Sequence, residues 1–453
     1  MSEQPNREAS MLPVPHMAIR RYLRRTLLLL LLLALALLAA IYYFASSADE
    51  ARVFSPAGKA GRPEQVALGA YLARAGDCAA CHTARGGPVY GGGRALATPF
   101  GDVVAPNITP DKANGIGSWT ADDFWRALHH GKSKDGRMLY PAFPYPNYTK
   151  ISRPDADAIF AFLQTVPAVN HARQAHRLRF PYNQSLMLAA WRALYFRPGE
   201  YQENRQQSAQ WNRGAYLVQG LGHCNACHTS RNFLGASQSG VDLAGGMIPI
   251  LNWYAPSLTS DKEAGLGLWP QEDIHALLKT GVAPQGAVFG PMAEVVAQSL
   301  QHLSDADIAA MAGYLKSLPQ TALAQPEVDD NIAPEERGRL LTLGAKLYET
   351  HCQDCHMADG KGKPPAWPPL AGNRAITMPS AVNSIRIVLN GGFAPSTAGN
   401  PRPYSMPPYG PQLSDDEVAA VVSYIRQAWG NAGPGRALVD APEVNRYRSV
   451  PLD

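Results

Sequence analysis

Cys224-Asn225-Ala226-Cys227-His228 is the stretch from which the chain is read. The same five-residue pattern recurs at Cys78 to His82 and at Cys352 to His356, and the three copies use all six cysteines of the 453 residues. Two thiols three positions apart reach the two vinyl groups of one porphyrin, and the imidazole that follows turns beneath the ring to ligate iron. That is the spacing of c-type haem attachment. Zinc wants four ligands, usually from two such pairs, and three pairs leave one unmatched. A redox dithiol needs one copy in a βαβ setting that the chain lacks, and neither it nor a disulfide requires a histidine after the second cysteine. Cys78, Cys81, Cys224, Cys227, Cys352 and Cys355 are therefore expected to carry three covalent haems c, with His82, His228 and His356 as proximal iron ligands.

The motif sits inside a longer repeat. Gly69-Ala70-Tyr71-Leu72, Gly214-Ala215-Tyr216-Leu217 and Gly344-Ala345-Lys346-Leu347 each lead into a haem motif as one amphipathic helix. Each copy closes with an apolar helix behind an acidic first turn, Asp155 to Leu163, Ser304 to Leu318 and Ser414 to Trp429, where the acids suit the helix dipole. Phe162, Tyr314 and Tyr424 fall at one place in these closing helices and are expected to pack on the glycine of the opening helix. Between the helices lies a shared Pro-x-Ile/Leu, at Pro106, Pro256 and Pro368, whose backbone carbonyl is suited to accept the Nδ1 proton of the haem histidine and fix its tautomer.

A thioether as distal ligand raises a haem's potential relative to a second imidazole. Met292 in Gly-Pro-Met-Ala and Met406 in Tyr-Ser-Met-Pro-Pro stand in proline-bearing loops before the closing helices and are the expected distal ligands. The first repeat has Phe143 at that place. Met138 is its first candidate, with Met187, His129 and His130 behind it and a five-coordinate iron as the remaining possibility. Met357 follows the proximal His356 directly and lies on the wrong side of the iron.

Outside the repeats, Arg20, Arg21, Arg24 and Arg25 precede an apolar run from Leu27 to about Ala45. Such a run spans about 30 Å of hydrocarbon, and the arginines place the N-terminus in the cytoplasm and everything after Ser46 outside. A cleaved signal peptide, with Ser46 and Ala48 near the cut, is the alternative; its apolar region is ordinarily shorter. Export is common to both. The apolar fraction is 46%, with 40 glycines and 38 prolines, so loops are abundant, and the net charge of +4 is spread without the basic stripe of a nucleic-acid binder. Dinucleotide and phosphate loops are absent from the sequence. The expected layout is a cytoplasmic segment 1–25, an anchor 26–45, haem domains 62–170, 208–320 and 335–432, linkers 171–207 and 321–334, and a tail 433–453 with little regular structure. The first linker carries Met187, Trp191, Tyr195 and Phe196 and is expected to pack on a surface.

These stretches, together with Trp211 to Leu217, Asn107-Ile108-Thr109-Pro110-Asp111 with Gly115-Ile116-Gly117, Gly290 to Val296 and Tyr424 to Asn431, resemble the three-haem cytochrome c subunits of membrane-bound bacterial dehydrogenases. The resemblance spans about Val66 to Asn431. It covers subunits that accompany quinoprotein alcohol or aldehyde dehydrogenases and flavoprotein gluconate or sorbitol dehydrogenases, and relatives encoded beside molybdenum hydroxylases. It implies a mainly α chain of three tandem class I cytochrome c domains behind one N-terminal transmembrane helix, with His/Met haems on the periplasmic side of the inner membrane. It further implies electron delivery from a dehydrogenase catalytic subunit to ubiquinone or a downstream cytochrome or oxidase. Phe143 departs from the methionine version of its loop. Two other readings stay open: a peroxidase-like haem enzyme with a five-coordinate first haem and His129 or His130 as distal base, and a stand-alone electron shuttle.

Overall fold

The computed structural model describes residues 16–47, 61–262, 264–321, 332–433 and 436–450, with some side chains inside the first helix outside that set. The chain forms two compact units. The smaller contains helix α1 (His16–Ser47) and, from far along the chain, a helix over 185–195; the two pack on each other. Leu27 to Leu33 are exposed along α1. Among the described residues no helix is long and apolar enough to cross a membrane, so the anchor expected at 26–45 is not established by the fold.

The larger unit is three variations on one helical plan. The first repeat runs α2 (Pro63–Ala75), α3 (Cys78–His82), α4 (Ala121–His130), α5 (Tyr145–Tyr148) and α6 (Arg153–Leu163). After α7 (Ser185–Tyr195) of the smaller unit, the second runs α8 (Ala209–Tyr216), a π-turn Leu217–Leu221, α9 (Asn225–His228), α10 (Gln271–Thr280), α11 (Pro291–Gln298) and α12 (Asp305–Ser317). The third runs α13 (Pro334–His351), α14 (Gln353–His356), α15 (Arg374–Thr377), α16 (Val382–Asn390) and α17 (Asp415–Gln427), and α18 (Ala441–Arg448) follows.

The closing helices α6, α12 and α17 start where the sequence supplies a hydroxyl. Ser152, Ser304 and Ser414 accept from the backbone N–H of Asp155, Asp307 and Glu417, satisfying a donor that the first turn leaves free. Opening and closing helices then cross at closest approach over a glycine. A Cβ on Gly69, Gly214 or Gly344 would lie 1.9, 2.0 or 2.2 Å from the carbonyl oxygen of Ala158, Ala310 or Ala420. It would also lie 2.9, 2.9 or 2.7 Å from the Cβ of Phe162, Tyr314 or Tyr424. The expected glycine–aromatic contact is present in all three repeats.

Leu72, Ile151 and Leu163 of the first repeat belong to the same buried cluster as Leu217, Ile274 and Ile308 of the second. The third repeat has its own, built on Ile385, Val418 and Val422. The first two repeats are also tied by a reciprocal pair of bonds. The Tyr71 hydroxyl donates to Asp307 Oδ2 at 2.6 Å, and the Tyr216 hydroxyl donates to Asp155 Oδ2 at 2.5 Å. Tyr71 and Tyr216 hold one position of the repeat, and Asp155 and Asp307 another, so the repeats face each other in the isologous manner of a two-fold pair. Arg213 adds a fork to Asp307, at 2.8 and 2.7 Å. In the third repeat the tyrosine's place is taken by an exposed lysine, Lys346.

Two stretches outside the repeats carry regular structure. Within 171–207, Arg177–Leu178 pairs as a third strand beside Gly101–Val104 and Ala95–Thr98, Arg177 salt-bridges Asp102, and α7 joins the smaller unit. This segment is structured along much of its length. The tail, expected to be irregular, contains α18: Asp440 caps it, Val444 is fully buried in the third core, and Arg448 salt-bridges Asp415 at 2.6 Å. Most of 321–334 lies outside the described residues.

Candidate haem sites

Each haem motif is a single short turn, α3, α9 or α14, entered from the end of an opening helix or its π-turn. The turn carries the second cysteine and ends on the histidine. In all three sites Nδ1 of that histidine meets the carbonyl of the shared proline: His82 with Pro106 at 2.8 Å, His228 with Pro256 at 2.7 Å, and His356 with Pro368 at 3.0 Å. With Nδ1–H donating there, the tautomer is set and the Nε2 lone pair is left for a metal. Burial lowers the pKa of all three imidazoles, His228 to about 4, so they are neutral and competent as ligands. Burial also pushes the thiols up, Cys78 to about 12, Cys81 to about 11, and Cys224 and Cys352 to about 12. Five of the six cysteines are part-buried and Cys355 is exposed, and among the described residues no group of His, Cys, Asp and Glu is arranged to hold a metal ion. Two cysteines and one Nε2-presenting imidazole per turn fit haem c.

Arginines brace two of the turns, which the sequence reading missed. Arg94 donates to the carbonyl of Ala80, and Arg231 to that of Ala226, the third residue of the motif in each case. Arg94 also forks Glu294 at 2.6 and 3.0 Å, two residues after Met292, so the first motif is tied to the helix carrying the second repeat's candidate ligand. Asp77, in left-handed backbone (φ 49°) before Cys78, has a buried Oδ1 without a hydrogen-bond partner. Burial, with Glu294 adding to it against Arg94, pushes this carboxyl up to about 8.

The distal candidates fall in different settings. Met292 lies on α11 against the shared core, and Met406, in the short strand paired with Gly392–Phe393, lies against the third core. Phe143 also packs on the shared core, tilted against Tyr148 with ring centroids 5.4 Å apart. Met138 sits outside that cluster in a hairpin, bridged to Lys132. His129 is buried flat on Trp125, with centroids 4.4 Å apart, and His130 meets it edge-on. Met187 is on α7 in the smaller unit. Met357 has φ 60° and its carbonyl accepts from the Tyr348 hydroxyl at 2.6 Å, a structural role.

Comparison with known proteins agrees with this geometry. The cytochrome c family model matches residues 66–167 and 341–429. The cytochrome c subunit of the quinone alcohol dehydrogenase of Gluconobacter oxydans is 40% identical over 398 residues, covering 85% of this chain and 82% of that one. The gluconate 2-dehydrogenase cytochrome c subunit of Pantoea cypripedii is 41% identical, covering 84% and 89%. The fructose dehydrogenase cytochrome subunit of Gluconobacter japonicus is 36% identical, covering 85% and 84%. With haem motifs, oriented imidazoles and relatives in accord, the chain belongs to the family of dehydrogenase cytochrome c subunits, which transfer electrons through covalently bound c-type haem.

Proposed function

We propose that this chain carries electrons through three haems c, from a dehydrogenase catalytic subunit to ubiquinone or a downstream cytochrome or oxidase. The observation that carries the reading is the threefold repetition of one imidazole geometry, each Nδ1 bound to the carbonyl of a corresponding proline within 3.0 Å. Haem c supplies a one-electron iron couple, and the protein sets its potential through axial ligand, burial and hydrogen bonding. The chain's part is to hold each imidazole in one tautomer and one orientation. His82, His228 and His356 are the proximal ligands. Met292 and Met406 are the distal ligands of the second and third haems, and Met138 of the first. The nature of the relatives supports a dehydrogenase partner, whether quinoprotein, flavoprotein or molybdenum hydroxylase.

The site of action is the periplasmic face of the inner membrane, with residues 26–45 as anchor. The arginine cluster before the leucine run supports this, as does α7, which packs on α1 and exposes Leu186, Met187 and Leu194. Release of the chain from native membranes by alkaline carbonate, without detergent, would remove the anchor.

The test of the relay is low-temperature magnetic circular dichroism of the oxidised protein beside Met138→Leu. Three His/Met signatures, one of them lost in the variant, are expected. A high-spin haem in the wild type that binds cyanide or peroxide overturns the relay and makes the first site catalytic. Against that outcome, His129 is committed to its stack on Trp125. Purification of the native complex checks the partner: a large catalytic subunit is expected to accompany the chain, and its absence favours a stand-alone shuttle.

A further inference from the structure

Arg374 opens α15 in the third repeat, yet its side chain reaches the second. Its Nη1 donates to the carbonyl of Ser257 at 3.3 Å, and the guanidinium lies 5.4 Å from the centre of the Trp269 ring. Ser257 directly follows Pro256, whose carbonyl holds His228 Nδ1. A cation therefore stands one residue from the group that orients the second proximal imidazole. The approach is fixed by docking of the third repeat: the Asn383 side chain accepts from the Tyr254 N–H at 2.9 Å and donates to the Tyr254 carbonyl at 2.8 Å. Beside it the Arg386 guanidinium lies 4.6 Å over Trp253.

The other two sites are built differently. The residue after the third proline is Pro369, whose carbonyl accepts from the neutral amide of Asn373 at 2.8 Å. At the first site Asn107 uses its own side chain on the carbonyl of Val169 and the N–H of Thr109. Among the described residues no carboxylate pairs with Arg374. Burial lowers its pKa to about 10, which still leaves it charged at neutral pH. Arg374 is half-buried, and a cation there without a paired carboxylate acts on a neighbouring redox centre with less screening than one in open solvent.

We propose that Arg374 raises the reduction potential of the haem carried by Cys224, Cys227 and His228, so that the third repeat sets the redox poise of the second. The proposal rests on the relay reading above. Reduction removes one positive charge from a haem, and a fixed cation nearby favours the reduced form. Loss of that cation lowers the potential of this haem alone.

The experiment is a spectroelectrochemical titration of the full chain with its haems attached, comparing wild type, Arg374→Gln, Arg374→Lys and Met292→His. Met292→His identifies the second haem's wave, because imidazole in place of thioether lowers it. Arg374→Gln is expected to move that same wave down by at least tenfold in the couple's equilibrium constant, which is 59 mV for one electron. The other two waves stay in place, and Arg374→Lys returns most of the shift. A change below threefold in the identified wave, or an equal displacement of all three, overturns the proposal. If Met292→His moves no wave, the distal-ligand reading fails separately, and Arg374→Gln is judged by whether one wave alone falls. Should Arg374→Gln lose haem, Asn383→Ala loosens the same docking and is expected to lower the same wave less; an unmoved wave there overturns the proposal.

Discussion

Removal of the Tyr71 hydroxyl, by Tyr71→Phe, is expected to loosen the first repeat from the second without altering either haem motif. The hydroxyl donates at 2.6 Å to a carboxylate whose side chain is only 12% exposed. A hydrogen bond to a charged acceptor contributes about 1.5–3 kcal/mol. Asp307 keeps its fork to Arg213 in the variant, so the lower end applies, about 1.5 kcal/mol. Each variant also removes the acceptor of a backbone N–H, that of Ser304 for Tyr71 and that of Ser152 for Tyr216. Tyr216→Phe removes the mirror bond to Asp155, a carboxylate that Arg213 does not fork. Its cost is about 2 kcal/mol. The two losses are not independent. Arg213 forks Asp307 and lies 5.7 Å over the Tyr216 ring, so the double variant departs from the sum by about 0.5 kcal/mol or more. The assay is urea denaturation of the oxidised holoprotein, followed by circular dichroism in the far ultraviolet, for the four members of the cycle. Acidity supplies a second check. Burial alone would raise the Asp307 pKa, but the hydrogen bonds from Arg213 and Tyr71 outweigh it and hold the carboxyl below its ordinary value. Stability from this group is thus present above the ordinary carboxylate range and disappears as pH falls through the lowered value. The penalty of Tyr71→Phe shrinks there too. Two single variants within about 0.5 kcal/mol of wild type, the range of neutral surface changes, would refute the reasoning.

Other expectations concern the helix crossing and the first haem turn. Gly214→Ala places a Cβ 2.0 Å from the Ala310 carbonyl oxygen, so α8 and α12 must separate; a loss of about 3 kcal/mol or more, with less haem attached per chain, is expected by denaturation and haem stain. Asp77→Asn bears on pH. The wild-type carboxyl is raised to about 8, so its protonated form favours folding at low pH and that contribution is lost as pH climbs from the ordinary carboxylate range toward 8. The asparagine variant is therefore expected to gain melting temperature relative to wild type at pH 8 and not at pH 4; equal differences at both would refute the burial argument.

What was legible in the sequence depended on whether a feature repeats. Cys-x-x-Cys-His, the proline carbonyl and the glycine under an aromatic each occur three times, and recurrence exposed them before any contact was known. The Tyr–Asp exchange was half visible, since Tyr71 and Tyr216 occupy one position, but which aspartate each meets depends on how folded repeats dock. Arg94, Arg231 and Arg374 were invisible for the same reason: their targets are backbone carbonyls 14, 5 and 117 residues away, and a carbonyl carries no sequence signature. The tail was misread on composition. Its proline and glycine content suggested irregularity, while Asp440-Ala441-Pro442-Glu443 already spelled a capped helix start, with Asp440 accepting from the Glu443 N–H.

Lys346 stands where Tyr71 and Tyr216 stand in the other repeats. A chain with three similar repeats offers three ways of pairing any two, and mispairing among near-identical neighbours is a characteristic fault of tandem proteins. Each tyrosine hydroxyl both donates to a carboxylate and accepts a backbone N–H, of Ser304 for Tyr71 and of Ser152 for Tyr216; an ammonium group at 346 can donate but cannot accept. The reciprocal tyrosine exchange thus joins the first two repeats, while the third attaches to the second through Asn383 and Arg374. Exchanging the two side chains, with Lys346→Tyr and Tyr71→Lys together, would ask the chain to choose a different pair.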